Sequence, residues 1–184
     1  MEFGSNSPGT GGFLSPKTII KELGIIKKGM KVADFGCGHG YFTLPLAEMV
    51  GEDGRVFAID VSPEALEIVN SKSKIDGKDN IEVKRCNLEK KGSCNVEEKS
   101  CDVVFIINLL FQTERDEIVI GEAKRILKES GNIVFIEWQP DVSFGPQGKR
   151  IAKKEAVNLF EKSGFKLEKD FPTDNYHYGL LFKK

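Results

Sequence analysis

Val32-Ala33-Asp34-Phe35-Gly36-Cys37-Gly38-His39-Gly40 decides how the rest of the chain is read. An apolar run, Lys31 to Phe35, reads as a strand and flows into glycines at alternate positions. A turn built this way lets backbone approach a ligand without side chains between them, and it leads into the N-terminus of a following helix. Phe42 to Val50 supplies that helix, and Gly51-Glu52-Asp53-Gly54 supplies the turn that ends it.

Outward from this unit the pattern repeats. Arg55 to Asp60 reads as a second strand, and Ser62-Pro63 opens a helix with a cap residue followed by proline, burying Leu66 and Val69. Ile81 to Arg85 reads as a third strand, and the polar stretch Glu89 to Lys99 as a loop. The β-branched and aromatic run Asp102 to Ile107 suits a strand buried on both faces. Val119, Ala123, Ile126 and Leu127 mark a helix over Glu114 to Leu127; Gly131 closes it, and Ile133 to Glu137 is a fifth strand. Upstream, Ser15-Pro16 reads as another side-chain-capped helix start, running to about Leu23.

The last third departs from the alternation. Gln139 to Arg150, with Phe144-Gly145-Pro146, reads as a long loop able to serve as a lid. A helix carrying Ala156, Val157 and Phe160 follows, ended by Gly164. Phe165 to Phe171 and Tyr176 to Phe182 are strands joined by so short a link that they must run antiparallel. The expected architecture is α/β: a doubly wound, Rossmann-like sheet, mostly parallel with an antiparallel last strand. Residues 13–184 read as a single domain, and residues 1–12 as a tail outside it, with Met1-Glu2-Phe3-Gly4-Ser5 resembling a cloning remnant.

Composition narrows the function classes. With 27 Lys and Arg against 28 Asp and Glu, no overall charge draws the chain to nucleic acid or anionic membrane. The longest apolar run, Val103 to Phe111, is far short of the roughly 20 residues that span a bilayer. Cys37, Cys86, Cys94 and Cys101 fit neither a zinc ribbon nor a redox pair, so they read as reduced thiols of a cytoplasmic protein, with no metal site.

The charge at the glycine turn selects a ligand. In open parallel sheets ligands sit beyond the carboxyl ends of the strands at the switch in winding, which brings the turn and Asp60 together. Asp34 places a carboxylate at that edge, where it would repel a pyrophosphate but attract a sulfonium and an ammonium. Tyr41 stands where a dinucleotide fingerprint has its third glycine, which disfavours a nicotinamide oxidoreductase. Asp60 can take ribose hydroxyls of either ligand class.

Val32 to Gly40, followed by Ile59-Asp60 and Ser62-Pro63, resembles the class I S-adenosylmethionine-dependent methyltransferases, from about Phe13 to the C-terminus. The resemblance implies a seven-stranded sheet and S-adenosyl-L-methionine as cofactor. It implies that Gly36, Cys37, Gly38 and Gly40 line the methionine part beside Asp34 and Tyr41. Asp60 would hold the ribose and Val61 would pack on the adenine. Cys86-Asn87-Leu88 stands where the family often has an acidic residue, so Asn87 would offer a side-chain carbonyl there, with Leu88 beside it. Asn108 lies at the level of the methyl donor.

The acceptor is less legible. Displacement on a sulfonium needs alignment above all, and a base only where the nucleophile arrives protonated, so no catalytic signature is required. Asn108, Gln112, Trp138 and His177 are the substrate-facing candidates; alternation sets His177 on the opposite face from Tyr176 and Tyr178. His39 reads as a loop bystander. The compact chain favours a small-molecule substrate, with RNA or protein acceptors, or a non-catalytic cofactor-binding module, as the competing readings; the sequence does not indicate an oligomeric state.

Overall fold

The computed structural model describes residues 13–184; the expected tail and cloning remnant lie outside the described residues. The strands are β1 (Lys31–Phe35), β2 (Arg55–Asp60), β3 (Ile81–Arg85), β4 (Cys101–Ile107), β5 (Leu127–Trp138), β6 (Lys166–Phe171) and β7 (His177–Lys183). The helices are α1 (Pro16–Leu23), α2 (Thr43–Val50), α3 (Pro63–Ile75), α4 (Asp116–Ile126) and α5 (Lys153–Lys162), with a 3-10 turn at Leu110–Gln112. All seven strands join one sheet in the order β3-β2-β1-β4-β5-β7-β6. The pairs among β1 to β5 are parallel, and β7 runs antiparallel between β5 and β6. The expected sheet is therefore the observed one.

Alternation along the strands sorts side chains to two helical layers. Val32, Val56 and Phe105 meet Ile20 of α1 and Leu46 and Val50 of α2; Ala58 meets Leu66 and Val69 of α3. On the opposite face Phe35, Ile106 and Phe135 meet Ile120 and Ile126 of α4 and Phe160 of α5, whose ring stacks on Phe182 at 4.3 Å. The chain winds outward from β1 through β2 to β3, then returns to place β4 on the other flank of β1. The switch in winding lies at β1 and β4.

Three local expectations are corrected. Ser15 caps α1 without a side-chain bond to the backbone, its hydroxyl meeting Thr18 Oγ1 at 3.0 Å instead, whereas Ser62 accepts from Ala65 N at 3.2 Å as expected. β5 begins at Leu127 directly after α4, because Leu127 already pairs with Cys101; the register then slips, and Gly131 sits inside the strand where a Cβ would lie 2.7 Å from Leu127 Cδ2. The cysteines are not all reduced: Cys86 and Cys94 form a disulfide with Cα atoms 5.2 Å apart, leaving Cys37 and Cys101 free and buried. Spacing alone misses this pair because the fold, not the sequence interval, brings the two residues together.

That disulfide belongs to the crossover from β3 to β4, which is made by an irregular loop instead of a helix. The loop buries Leu88, Cys94 and Val96 in the α4–α5 side of the core. Arg125 of α4 holds its backbone, donating to the carbonyls of Val96 at 2.8 Å and Cys94 at 3.1 Å. The same guanidinium is gripped by both oxygens of the buried Glu122, at 2.6 and 3.0 Å. Arg125→Ala removes a charged donor from two carbonyls and one carboxylate, and is expected to cost about 2 kcal/mol in chemical denaturation; Arg125→Lys, which cannot fork, is expected to recover less than half of that loss.

Candidate active site

The carboxyl ends of β1, β2 and β4 converge at the switch. Gly36 follows β1 with φ of 69°, and Gly36 N and Cys37 N both donate to Ile59 O, at 2.8 and 3.0 Å. That φ is one L side chains rarely adopt, and a Cβ on Gly36 would also press on Leu109 Cδ1 at 2.8 Å, so the turn favours glycine. Asn108 follows β4 at φ of 48°, a conformation that asparagine tolerates better than most residues, and its N–H donates to Ile136 O at 2.8 Å.

Two cavities open on either side of this turn, and Gly36 lines both. The first, about 420 Å³, takes in Asp34, Cys37, Tyr41, Asn108, Trp138 and His177, with Phe13 and Leu14 at its N-terminal edge. The second, about 360 Å³, takes in Asp60, Val61, Asn87, Leu88, Glu89 and Gln112. The expected substrate-facing set therefore divides: Asn108, Trp138 and His177 share the first cavity, while Gln112 is exposed and faces the second. His39 is exposed, with only its carbonyl engaged, by Lys72 Nζ at 3.0 Å.

Asp34 points from β1 toward α2 and is 2% exposed. Thr43 Oγ1 donates to its Oδ2 at 2.6 Å. Burial pushes the Asp34 carboxyl up to about 7, the Thr43 bond restrains the rise, and the nearby charge of Asp60 adds to it. Asp60 is tied to the backbone instead: Oδ2 accepts from Gly38 N and Oδ1 from Ser62 N, both at 2.9 Å. Each carboxylate oxygen keeps lone-pair capacity beyond these bonds. Burial and the neighbouring Asp34 and Asp60 push the Cys37 thiol up, which leaves it a neutral small side chain in the turn. Tyr41 is 61% exposed and donates its hydroxyl to Leu14 O at 2.6 Å, tying the glycine turn to the segment before α1.

In the second cavity Val61 is exposed beside Asp60, as an adenine-facing residue would be. The Asn87 carbonyl accepts from Glu89 N at 2.9 Å, so the side chain bends its own turn. Glu89, which sequence reading passed over as loop, accepts from Glu114 N at 2.6 Å and Arg115 N at 2.9 Å and closes the cavity against the start of α4. A carboxylate two residues beyond Asn87 and a helix start at Asp116 were the available signals.

Around the first cavity, other residues missed by sequence reading hold the wall. Glu137 of β5 is fully buried and accepts from Phe111 N at 3.1 Å and Trp138 N at 2.9 Å, fixing the 3-10 turn that follows Asn108. Burial pushes Glu137 up to about 7, against the pull of those backbone donors. Asp174, in the link before β7, lies within 2.7 and 2.9 Å of His177 Nδ1, and Asn108 Nδ2 lies 3.0 Å from His177 Nε2. Trp138 and His177 rings are 4.0 Å apart. Arg150 stands 5.3 Å over Trp138 and donates to Phe144 O and Pro146 O at 3.1 Å, folding the 139–150 loop against the cavity mouth. Among the described residues no cluster of His, Cys, Asp and Glu is arranged to hold a metal ion, and no helix is long and apolar enough to cross a membrane.

The arrangement suits an S-adenosylmethionine-sized ligand: a backbone turn at Gly36 borders two cavities, with an acidic residue lining each, Asp34 in one and Asp60 in the other. Comparison with known proteins points the same way. Residues 26–169 match the family model described as a methyltransferase domain. The chain is 38% identical over 118 residues, 64% of its length, to the demethylmenaquinone methyltransferase of Lactococcus lactis subsp. lactis (strain IL1403). It is 29% identical over 156 residues, 84% of its length, to the enzyme of that name from Staphylococcus aureus (strain MRSA252). It spans 45% and 62% of the lengths of these two relatives. A SAM-dependent methyltransferase from Aquifex aeolicus superposes with a TM-score of 0.83 at 26% identity, covering 93% of this chain and 90% of the other. The [4+2]-cyclase SpnF, at 15% identity and a TM-score of 0.77 over 91% of this chain and 79% of its own, shares the fold alone. Together with the acidic glycine turn, these matches identify the chain as a member of the class I S-adenosylmethionine-dependent methyltransferases.

Proposed function

We propose that this chain transfers the cofactor's methyl group to a planar, largely apolar small molecule held between Asn108, Trp138 and the 139–150 loop. The observation that carries the reading is the turn at Gly36, which borders two cavities, one lined by a buried carboxyl and the other by a backbone-tied carboxylate. In this reading Asp60 takes the ribose hydroxyls, with Val61, Asn87 and Leu88 around the adenine. Gly36, Cys37, Gly38 and Gly40 line the methionine part beside Asp34, Tyr41 and Asn108. When bound, the cofactor supplies a methyl group already activated on sulfur.

The protein's share is alignment and exclusion of water. The cavity is lined by the aromatic rings of Phe13, Tyr41, Phe42 and Trp138, and Phe144 packs on Phe13 at 5.5 Å and on Tyr176 at 4.9 Å. Such walls favour a flat ring over a peptide or a phosphodiester backbone. The names of the two relatives, which refer to a quinone, favour the same class.

Asp34 generates a pH dependence with a definite sign. A cationic ligand favours the ionised carboxylate, so S-adenosylmethionine affinity measured by calorimetry is expected to rise with pH up to about 7. Below that point it should fall toward about tenfold per unit. Asp34→Asn is expected to bind at least tenfold more weakly at pH 8 and to lose the slope. A wild-type affinity independent of pH between 5 and 8 contradicts the assignment.

Without ligand the same residue acts against stability. A carboxyl whose folded pKa lies above its unfolded value of 3.8 stabilises the fold below that value, and this contribution is lost as pH rises to about 7. The Tm advantage of Asp34→Asn over the wild type is therefore expected to grow from pH 5 to pH 8. Transfer itself is tested with methyl-labelled cofactor and fractionated cell extract. Label is expected in the small-molecule fraction; label confined to protein or RNA, or no transfer, removes the small-molecule reading.

A further inference from the structure

The wall of the first cavity contains a chain of hydrogen bonds whose direction is set at one end. Asp174 Oδ1 accepts from the backbone of Tyr176 at 2.8 Å and of His177 at 2.9 Å, and the carboxylate also faces His177 Nδ1. A carboxylate only accepts, so Nδ1 carries the ring proton and Nε2 is left with a lone pair. Asn108 Nδ2, 3.0 Å away, must then donate to Nε2. The amide has no freedom left: its carbonyl oxygen is the end that faces away from the histidine. That atom, Asn108 Oδ1, is buried and has no partner in the protein.

We propose that Asp174, acting through His177, fixes the Asn108 amide so that its carbonyl accepts a hydrogen bond from the methyl acceptor, and that the site therefore selects planar rings bearing an O–H or N–H. The inference rests on the acceptor lying in the cavity at Asn108 and Trp138. Asn108 touches the substrate; His177 and Asp174 are positioning residues. A ring that offers only a carbonyl or an ether oxygen at this point leaves Oδ1 buried and unpaired, which is the more costly of the two outcomes. The left-handed φ of 48° at Asn108 turns the chain away from β4 at this place on the wall.

The relay depends on a neutral imidazole. Four groups from four segments face the ring: Asp174 before β7, Asn108 after β4, Trp138 of β5 and Arg150 from the 139–150 loop. Burial favours the neutral form, Arg150 reinforces it, and Asp174 opposes it; the balance lowers the proton affinity of His177. Protonation would turn Nε2 into a donor, reverse the amide and present its NH₂ to the acceptor.

Long-range proton–nitrogen NMR on the full chain, histidine-labelled and carrying His39→Gln to leave a single imidazole, tests the direction. Nδ1 is expected to be protonated and Nε2 bare from pH 8 down past the titration of free histidine. A proton on Nε2 at pH 7.5 means that the carbonyl faces the ring, and overturns the proposal. In Asn108→Asp two carboxylates flank the ring, and the imidazolium is expected to persist to higher pH than in the wild type. Calorimetry with S-adenosylhomocysteine present then compares 2-naphthol with 2-methoxynaphthalene. The wild type is expected to prefer the naphthol by about three- to tenfold and Asn108→Leu to show no preference. Equal binding by the wild type overturns the selectivity. Binding of neither ring removes the flat-ring reading of the cavity and the selectivity with it, while the tautomer still decides the relay.

Discussion

The bond from Thr43 to Asp34 is the constraint on which the site depends. A carboxyl at the end of the central strand is buried beneath the first turn of α2, where water cannot solvate its charge, and one hydroxyl at 2.6 Å is its only side-chain donor. In the ligand-free protein the fold tolerates this group by letting it keep a proton near neutrality. In the proposed function a cationic ligand at the Gly36 turn supplies the missing counter-charge. On that proposal ligand affinity and latent instability are two consequences of one buried group.

The rest of the site is an exercise in terminating strands. β1 ends in a glycine whose left-handed turn is stitched to β2; β4 ends in an asparagine forced into the same region of backbone space; β5 ends in Glu137 and Trp138. Each ending sends the chain away from the sheet and leaves a polar group behind at the edge. Because β1 and β4 are neighbours across the switch in winding, their endings lie side by side. The antiparallel β7 adds what a parallel strand could not. Its N-terminal end lies at the carboxyl edge of β5, so His177 pairs with Trp138 and reaches the site from the far end of the sequence.

This explains what was legible in the chain. The alternation of strands and helices, the glycine turn after β1 and Asp60 at the end of β2 are local patterns, each contained in ten or so consecutive residues, and the structure has these elements in the expected order. The antiparallel pair followed from the shortness of its link. What stayed hidden is carried by contacts between distant segments. Glu89 looked like one charge in a polar loop until its bonds to Glu114 and Arg115 placed it. Cys86 and Cys94 looked like free thiols because no interval announces a pair. The start of β5 was misplaced because Gly131, which reads as a stop, instead occupies a spot in the strand too tight for a Cβ. Alternation places His177 opposite Tyr178, but β7 begins only at His177, so Tyr176 lies outside the strand and packs on Phe13 beside the same cavity; the partner Asp174 is hidden because a carboxylate in a Pro-Thr-Asp-Asn link is first of all a turn residue.

The two raised carboxyls also divide the labour at the site. Asp34 and Glu137 are both buried and both sit near 7, but their surroundings differ in kind. Glu137 accepts from two backbone N–H groups, Phe111 and Trp138, so its oxygens are engaged by the protein before any ligand enters. Asp34 accepts from one hydroxyl and lines an open cavity. Bonded to the backbone of two segments, Glu137 acts as a strut that holds the turn after Asn108 against β5. The same residue chemistry at the same level of the sheet thus gives rigidity at Glu137 and, in the proposed function, ligand recognition at Asp34; what separates them is that Glu137 is bonded by two segments while Asp34 is bonded by Thr43 alone and lines the cavity.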